Sequence, residues 1–452
     1  MQIQRSIAAL LFAVGALTSA HAQEAPSLSL PRAVTIALEK NPAHKMALAE
    51  VEISNARLGL ARTSFLPRVD FTEALTRSND PVYAFGTKLR QGRFTAADFQ
   101  LSSLNHPDAL GNFSSRLGGS WTVFDSMQNT YQMRSARAMN VSAQQRMSRA
   151  DQELIYRVIQ AYYGYLLANK NREVMEQTVT TAQSVVDSTA ARVEAGTAVE
   201  ADSLSAKVTL ASRQQELIRA RSAVNMARTD FEIALGIKLL PGQLPADSLQ
   251  ERHLPVSALE EVERRALLQR PDLLAISSQL GAQQNSVKAA RAALGPRLDV
   301  FGSWEADNQN LAANGSSNWA TGIELRIDLF ARDKNAHLAV ERATLSRGEA
   351  ARQIAEDNAR LDIRRSYYEH DAARQMLEVA RGTVAQADES LRIMRDRYDS
   401  GLVTITDLLR AEDAARNSRM RYWQSVYEYS ITYAAVQLAS GDLSAQNPVV
   451  SQ

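Results

Sequence analysis

The most regularly spaced charged residues of this chain form a short motif that occurs twice. The motif is Arg-x-x-x-Gly with Asp six residues after the glycine, and its copies are Arg192, Gly196, Asp202 and Arg397, Gly401, Asp407. Glycine tolerates the left-handed conformation that ends a helix, and a carboxylate in the next first turn complements the helix dipole. The motif therefore predicts two helix–turn–helix tips, each carrying a basic and an acidic side chain.

Other arrangements of reactive residues do not suggest catalysis or a cofactor. The sequence has no Gly-rich loop ending in Gly-Lys-Ser/Thr and no Gly-x-Gly-x-x-Gly, and no two of its six histidines form a His-x-x-x-His pair. The stretch Tyr367–Asp371 reads Tyr-Tyr-Glu-His-Asp, but consecutive helical residues point in different directions. We expect Arg192 and Arg397 to bond last-turn carbonyls or groups of a docked protein, and we expect neither enzymatic activity nor a bound cofactor or metal.

Composition and the first residues indicate a secreted protein. Arg5, an apolar run over 7–17 and the small-x-small sequence Ala20-His21-Ala22 predict a signal peptide over 1–22. Lysine and arginine total 51 against 50 for aspartate and glutamate, so no charge excess points to nucleic acid. The chain has no cysteine, and after Ala22 no apolar run approaches the length of a membrane-spanning helix.

Most of the chain is a tandem repeat. The pair Asn41-Pro42 and the segment 66–70 return 229 positions later (271 minus 42), and the stretch 162–236 returns 205 positions later (367 minus 162). We divide the chain into a first repeat over 23–236, a linker over 237–256, a second repeat over 257–441 and a tail over 442–452. The first repeat carries about 23 extra residues between 70 and 121, because the displacement is 229 before this stretch and 206 after it, where Phe124 aligns with Phe330 (229 minus 206).

Each repeat is predicted to be mainly helical. Segments 127–195 and 333–400 lack proline and are rich in helix-forming residues, so each predicts one helix of roughly 100 Å. Thr197-x-x-Glu200 and Thr404-x-x-Asp407 predict capping boxes that start return helices over 201–234 and 407–439. Half-length helices are predicted over 31–64 and 257–293. We expect the N-terminal half-helix to stack on the C-terminal one, bringing the chain ends together at mid-height.

Four short segments alternate apolar and polar residues as strands do. They are 65–71, 117–124, 297–305 and 319–330, and within 297–305 Phe301 breaks the alternation. Charged residues occupy one face and apolar residues the other, which is typical of membrane barrel strands, although a soluble two-layer sheet also alternates. Four strands cannot close a barrel, and open edges are not tolerated in lipid, so identical chains must share one of 8, 12 or 16 strands.

In its two-copy layout the mature chain resembles the TolC-type outer-membrane efflux proteins. The resemblance rests on the Leu66-Pro67 and Gly295-Pro296 strand entries, the exit Val123-Phe124-Asp125 and the repeated tip motif. It implies a homotrimer with a 12-stranded barrel in the outer-membrane lipid and a coiled-coil helical tunnel in the periplasm. It also implies docking onto a periplasmic adaptor (membrane fusion) protein and an inner-membrane pump.

The same resemblance implies that the two tips close the periplasmic mouth. Asp202 and Asp407 would then face the lumen as a carboxylate ring, with helix-dipole complementation as the alternative. Tyr398 occupies an aromatic position of many family tips, whereas its counterpart Val193 is not aromatic.

The aromatic-rich surplus in 78–112 is predicted to lie on the outer surface, folding over the barrel mouth or packing against neighbouring copies. A periplasmic coiled-coil adaptor or structural protein is the alternative function. The cargo is not readable from the sequence.

Overall fold

The computed structural model describes residues 28–240, 243–245, 247–311 and 315–451. The predicted signal peptide lies outside this range. The helices are α1 Leu30–Lys40, α2 Pro42–Thr63, α3 Pro81–Arg90, α4 Leu101–Asn105, α5 Gln128–Glu194, α6 Glu200–Leu235, α7 Leu259–Gln269, α8 Pro271–Ala292, α9 Arg332–Asp399, α10 Ile405–Ser440 and α11 Pro448–Ser451. The strands are β1 Arg68–Ser78, β2 Leu110–Phe124, β3 Arg297–Asn308 and β4 Ser316–Arg326.

Two very long helices run the length of the molecule. Helix α5 has 67 residues and α9 has 68, so each is roughly 100 Å long. Both begin and end within one residue of the predicted boundaries, because no proline interrupts them. The return helices α6 and α10 pack antiparallel on α5 and α9, which gives each repeat one helical hairpin.

The predicted half-length helices are each broken in two, which corrects the expectation of single helices over 31–64 and 257–293. The breaks fall at Asn41 and Arg270, whose ψ angles of 132° and 123° leave the helical region. Each precedes a proline, whose ring disfavours the helical conformation of the residue before it. Pro42 and Pro271 then occupy the first positions of α2 and α8, where a missing N–H costs nothing.

The expected stacking of the N-terminal half-helix on the C-terminal one is wrong, because each half-helix stacks within its own repeat. Asn41 Nδ2 donates to the carbonyl oxygens of Ile233 (3.3 Å) and Ala234 (2.8 Å) in the last turn of α6. In the second repeat, Arg270 Nη1 donates to the Ala439 carbonyl at 3.3 Å, in the last turn of α10. A break-point side chain therefore caps the helix that it continues.

The chain ends nevertheless meet in a mid-height core. This core contains side chains from both ends, both long helices, both return helices and the linker. Tyr162 is 2% exposed and its hydroxyl bonds the carboxylate of Asp247 in the linker. On the other side, the Tyr429 hydroxyl bonds the backbone N–H and carbonyl of Leu254, both at 3.2 Å.

His370 completes the attachment of the linker. Its ring stacks on Tyr429 with centroids 4.9 Å apart, and burial lowers the pKa of His370. The segment between the repeats is therefore fixed to α5 on one side and to α9 and α10 on the other.

The four strands form one antiparallel sheet in the order β1-β2-β3-β4. All four predicted strands need corrected boundaries. Phe65 belongs to the turn after α2, and β1 starts after Pro67 and continues to Ser78. The fourth strand ends at Arg326 and not at 330, because Arg326 pairs with Arg297, and Pro296 before it has no N–H for a further ladder bond. The second strand starts earlier than predicted, at Leu110, and the third ends later, at Asn308. The fourth strand also starts earlier, at Ser316.

The sheet separates apolar from charged side chains as the alternation predicts. The apolar face carries Leu75, Trp121, Trp319 and Ile323, which are 45% to 78% exposed. The exception, Phe301, lies on the charged face, where a Cβ on Gly322 would come within 2.6 Å of its ring. The ring therefore packs on the bare backbone of β4. Within the described ranges, no helix is both long and apolar enough to cross a membrane.

The glycine that ends α6 gives a direct test of the stacking. Gly236 has a φ of 75°, and an added Cβ would lie 2.6 Å from the Cα of Asn41. We expect Gly236→Ala to lower the unfolding free energy by about 1–3 kcal/mol, as measured by thermal loss of helical circular dichroism in detergent.

Gly164→Ala is the matched control. Gly164 lies inside α5 with nothing within 4 Å of an added Cβ, so this change is expected to stabilise by roughly 0.5–1 kcal/mol. Equal midpoints for the two variants would contradict the close approach of α2 to α6.

Candidate functional site at the hairpin tips

The two hairpin tips have the same backbone. Gly196 and Gly401 both have a φ of 73°, the left-handed conformation predicted for them. In the first tip, Thr197 N–H donates to the Arg192 carbonyl at 2.9 Å, and Leu402 N–H donates to Arg397 in the same way in the second. These bonds satisfy carbonyls that the helix end leaves free. The repeated glycines therefore set two equivalent turns.

Arg192 joins the two tips. Its Nη1 donates to the Tyr398 carbonyl and its Nη2 to the Asp399 carbonyl, both at 2.9 Å. The guanidinium also lies 4.6 Å from the centre of the Tyr398 ring, and Nη2 is 3.3 Å from the Asp399 carboxylate. A cation at the last turn of α9 is favoured by the helix dipole. The expectation of bonds to last-turn carbonyls is confirmed for Arg192, with the acceptors on the other hairpin.

Tyr398 lies inside an apolar cluster between the hairpins. It is 7% exposed, and its hydroxyl is 3.4 Å from Thr189 Oγ1 on α5. The cluster draws one or two residues from each of the four helices that meet here: Val185, Val186, Ala206, Tyr398, Ile405 and Leu408. The aromatic ring is thus a packing element of the tip and a platform for Arg192.

Arg397, the counterpart of Arg192, lies on the exposed side of its turn. Within the described part of the chain, its side chain makes no hydrogen bond or ion pair. The repeated arginines therefore have different environments, although their backbones are alike.

The two aspartates also differ. Asp407 accepts hydrogen bonds from the N–H and hydroxyl of Thr404 at 3.2 and 2.7 Å, and Thr404 accepts from the Asp407 N–H in return. These bonds from Thr404, first the hydroxyl and then the N–H, hold the pKa of Asp407 below its usual value. The capping box predicted from Thr404 and Asp407 is therefore confirmed, and Asp407 lies in the first turn of α10, where a carboxylate complements the helix dipole.

Asp202 occupies the same helical position without that partner. The capping box predicted from Thr197 and Glu200 is wrong: α6 is capped at Val199, and the Thr197 hydroxyl instead donates to the Arg192 carbonyl. Val199 stands where the displacement of 205 positions places Thr404, so only one repeat has a hydroxyl there. Asp202 is half-buried in the first turn of α6.

Above the tips lies an ion-pair network that the sequence did not reveal. Arg213 on α6 contacts Asp413 on α10, and Arg416 on α10 contacts Glu216 on α6 at 2.7 Å. Both arginine side chains are only 11–12% exposed. Nearby, burial raises the pKa of Glu412 despite its pairing with Arg395. Partners 200 residues apart leave no local signal.

The tips can therefore support structural contacts and electrostatic effects. Within the described residues, no three histidine, aspartate or glutamate side chains converge on a point that could hold a metal ion. What the tips provide is a charged, hydrogen-bonded connection between two hairpins, beside the exposed Arg397 and the half-buried Asp202 and Asp407.

Comparisons with known proteins agree with this architecture. The sequence profile of a family described as outer membrane efflux protein matches residues 33–236 and 262–442. Protein CyaE of Bordetella pertussis is 26% identical, over 92% of this chain and 84% of CyaE. The alkaline protease secretion protein AprF of Pseudomonas aeruginosa is 23% identical, over 93% and 86% of the two chains. The CmeC outer membrane channel of Campylobacter jejuni has a similar fold, with a TM-score of 0.77, 19% identity, and coverage of 93% and 87%.

The arginine that joins the hairpins and its unpaired counterpart form a matched pair for mutation. We expect Arg192→Ala to speed amide exchange at both tips by roughly five- to tenfold, because bonds from a partly exposed charged donor contribute on the order of 1–2 kcal/mol. Arg397→Ala should leave exchange there nearly unchanged. Hydrogen exchange followed by mass spectrometry measures both, and equal effects would contradict the joining role of Arg192.

Proposed function

From the premise that this chain belongs to the outer membrane efflux protein family and is an exit channel of the cell outer membrane, we propose that three copies form one passive duct. Each chain would contribute four strands to a 12-stranded barrel in the lipid. The six hairpins of the trimer would line a helical tunnel in the periplasm.

The observation that carries the proposal is a pair of uncovered apolar stripes with heptad spacing. On α2 they are Met46, Ile53 and Leu60, seven residues apart and 72%, 43% and 70% exposed. On α9, Ile354 and Leu361 repeat this spacing at 61% and 55% exposure. Such stripes are the seams of coiled coils.

The stripes lie at the two opposite edges of one chain. Helix α2 packs on α5 and α1, and α9 packs on α8, α10 and α7, so each is the last long element on its side. An α2 edge that meets the α9 edge of the next copy forms a head-to-tail contact, and such contacts close into rings. The lipid-facing part supports the same closure, since β1 and β4 are the free edges of the sheet and would pair antiparallel between copies.

In this duct the hairpin tips would form the periplasmic gate. Gly196 and Gly401 set the turns, while Arg192 and Tyr398 hold the two hairpins of one chain together. Arg397 is exposed and available to a neighbouring chain or an adaptor. Asp202 and Asp407 would supply six carboxylates around the narrowed lumen.

The duct would depend on other proteins for energy. The chain lacks the phosphate-binding motifs of an ATPase, so we assign it no enzymatic role. We infer that a periplasmic adaptor docks on the tips and that an inner-membrane pump drives the cargo. AprF, whose name refers to protease secretion, supports type I secretion as one setting, and drug or solute efflux is the other.

The assembly is tested by a charge on the α9 stripe. Ile354→Glu is expected to convert the detergent-solubilised complex from the mass of three chains to that of one, because a carboxylate would be buried in an apolar seam. Light scattering after size exclusion gives the mass. Gln353→Glu adds the same charge at the exposed neighbouring position and should leave three chains.

A single-chain mass for the unmodified protein, stable in buffer without detergent, would reject the duct in favour of a periplasmic adaptor or structural protein. Loss of assembly in both variants would reject the assigned seam.

The carboxylate ring is tested by conductance in planar bilayers. We expect Asp202→Asn to lower the cation-over-anion permeability ratio severalfold, since an exposed charge acts on a contacting ion with about 1 kcal/mol in water. Asp407→Asn should have the smaller effect, because that carboxylate is already engaged by Thr404. An unchanged ratio in the double variant would exclude the ring.

A further inference from the structure

The extra residues of the first repeat form a compact unit. Phe94 packs edge-on against Phe85 and Phe99, with ring centroids 4.7 and 5.1 Å apart. Lys88 and Asp98 form an ion pair at 2.7 Å across the same segment. Segment 79–109, here termed the cap, therefore has its own small core and a defined shape.

One buried side chain ties the cap to the sheet. Gln91 is 3% exposed, and its Nε2 donates to the Gly111 carbonyl at 3.0 Å, to Asn112 Oδ1 at 2.8 Å and to the Asn308 carbonyl at 3.2 Å. These acceptors belong to the ends of β2 and β3. The amide thus bonds oxygens of two different strands.

The cap covers only the charged face of the sheet. Asp307 and Asn112 lie on that face and are 0% and 7% exposed, and Arg90 of the cap is 3.7 Å from Glu305 there. On the opposite face near the same end, Leu75 and Trp319 remain 67% and 78% exposed. The cap therefore folds towards the side that would become the lumen.

Covering Asp307 has an energetic cost. Its Oδ1 accepts from Asn112 Nδ2 at 2.6 Å, but its buried Oδ2 has no hydrogen-bond partner within the described residues. A buried polar atom without a partner is unfavourable, so the other contacts must hold the cap in place against this cost.

We propose that the cap narrows the external mouth of the duct and is a size-selective barrier against large molecules entering from outside. The proposal rests on the proposed function, because the charged face becomes a lumen wall only in a closed barrel. Three caps, one from each chain, would project into one opening.

Because the chain has no cysteine, a thiol introduced by mutation is the only one that a reagent can label in this protein. Ser120→Cys places a single thiol on the exposed charged face of β2, towards the end far from the cap, and Leu311→Cys places one in the 80%-exposed turn between β3 and β4. Intact cells are treated from outside with either a small thiol reagent or a bulky polyethylene glycol maleimide. In chains with an intact cap, we expect both reagents to label a cysteine at position 311. Only the small reagent should label a cysteine at position 120.

Two cap variants are then compared. Ser78 and Leu110 are directly paired, so Asn-Gly can replace segment 79–109 as a two-residue hairpin turn. Both this deletion and Gln91→Ala are expected to raise bulky labelling at position 120 on the order of tenfold. Gln100→Ala, an exposed glutamine of the same cap, is the matched control and should not raise it.

Each outcome separates the two proposals. Bulky labelling at position 120 that is equally fast with and without the cap overturns the barrier and leaves the duct intact. Failure of external reagents to label position 311, or of the small reagent to label position 120, contradicts the orientation or the open lumen of the duct itself. If the deletion variant does not assemble, the comparison of bulky labelling in Gln91→Ala and Gln100→Ala decides whether the cap is a barrier. Formation of the heat-resistant oligomer shows that each of these variants has folded.

Discussion

The architecture depends on one constraint of length: two stacked helices must cover one long helix without a gap. Neither α2 nor α6 spans α5, so the joint between them must continue the helical axis while passing through a non-helical residue. The left-handed glycine that ends one helix and the pre-proline residue that starts the next meet closely enough to exclude a Cβ at Gly236. Both repeats use this joint, and it sets how far the strands and the tips lie from the middle of the molecule.

The tips illustrate how a duplicated backbone can carry unlike chemistry. Equal turns place Arg192 against the neighbouring hairpin and leave Arg397 exposed, because only the second long helix offers a tyrosine platform and free last-turn carbonyls at the right place. Similarly, Val199 against Thr404 determines which aspartate is held by a capping box. Arg192 thus holds the two hairpins of one chain together, whereas Arg397 remains exposed for contacts with other chains.

Sequence reasoning succeeded where the deciding forces are local. The long helices end at glycine turns and were predictable to within one residue. The alternation predicted the two faces of the sheet, but β1 and β2 each extend seven residues beyond the predicted boundary. The helix breaks at Asn41 and Arg270 also have a local cause, since each residue precedes a proline, and the prediction of single half-length helices overlooked this signal. The capping box at Thr197 was placed from a spacing pattern, while the repeat register pointed to Val199.

Interactions between segments far apart in the chain could not be predicted from the sequence. The ion pairs of Arg213 with Asp413 and of Arg416 with Glu216 join positions 200 apart, one in each repeat. The same holds for Gln91, whose three acceptors become neighbours only when the sheet has formed. Such contacts require the tertiary arrangement before they can be recognised.

The linker between the repeats has a consequence of its own. It is bonded through Asp247 to Tyr162 on one long helix, and through Leu254 to Tyr429 on the opposite hairpin, while Leu249 and Leu254 fill the shared core. The two repeats are therefore held together by side-chain packing as well as by the peptide chain. A protein nicked between these anchor points would still behave as one particle, and two fragments made separately could find each other through the same surfaces.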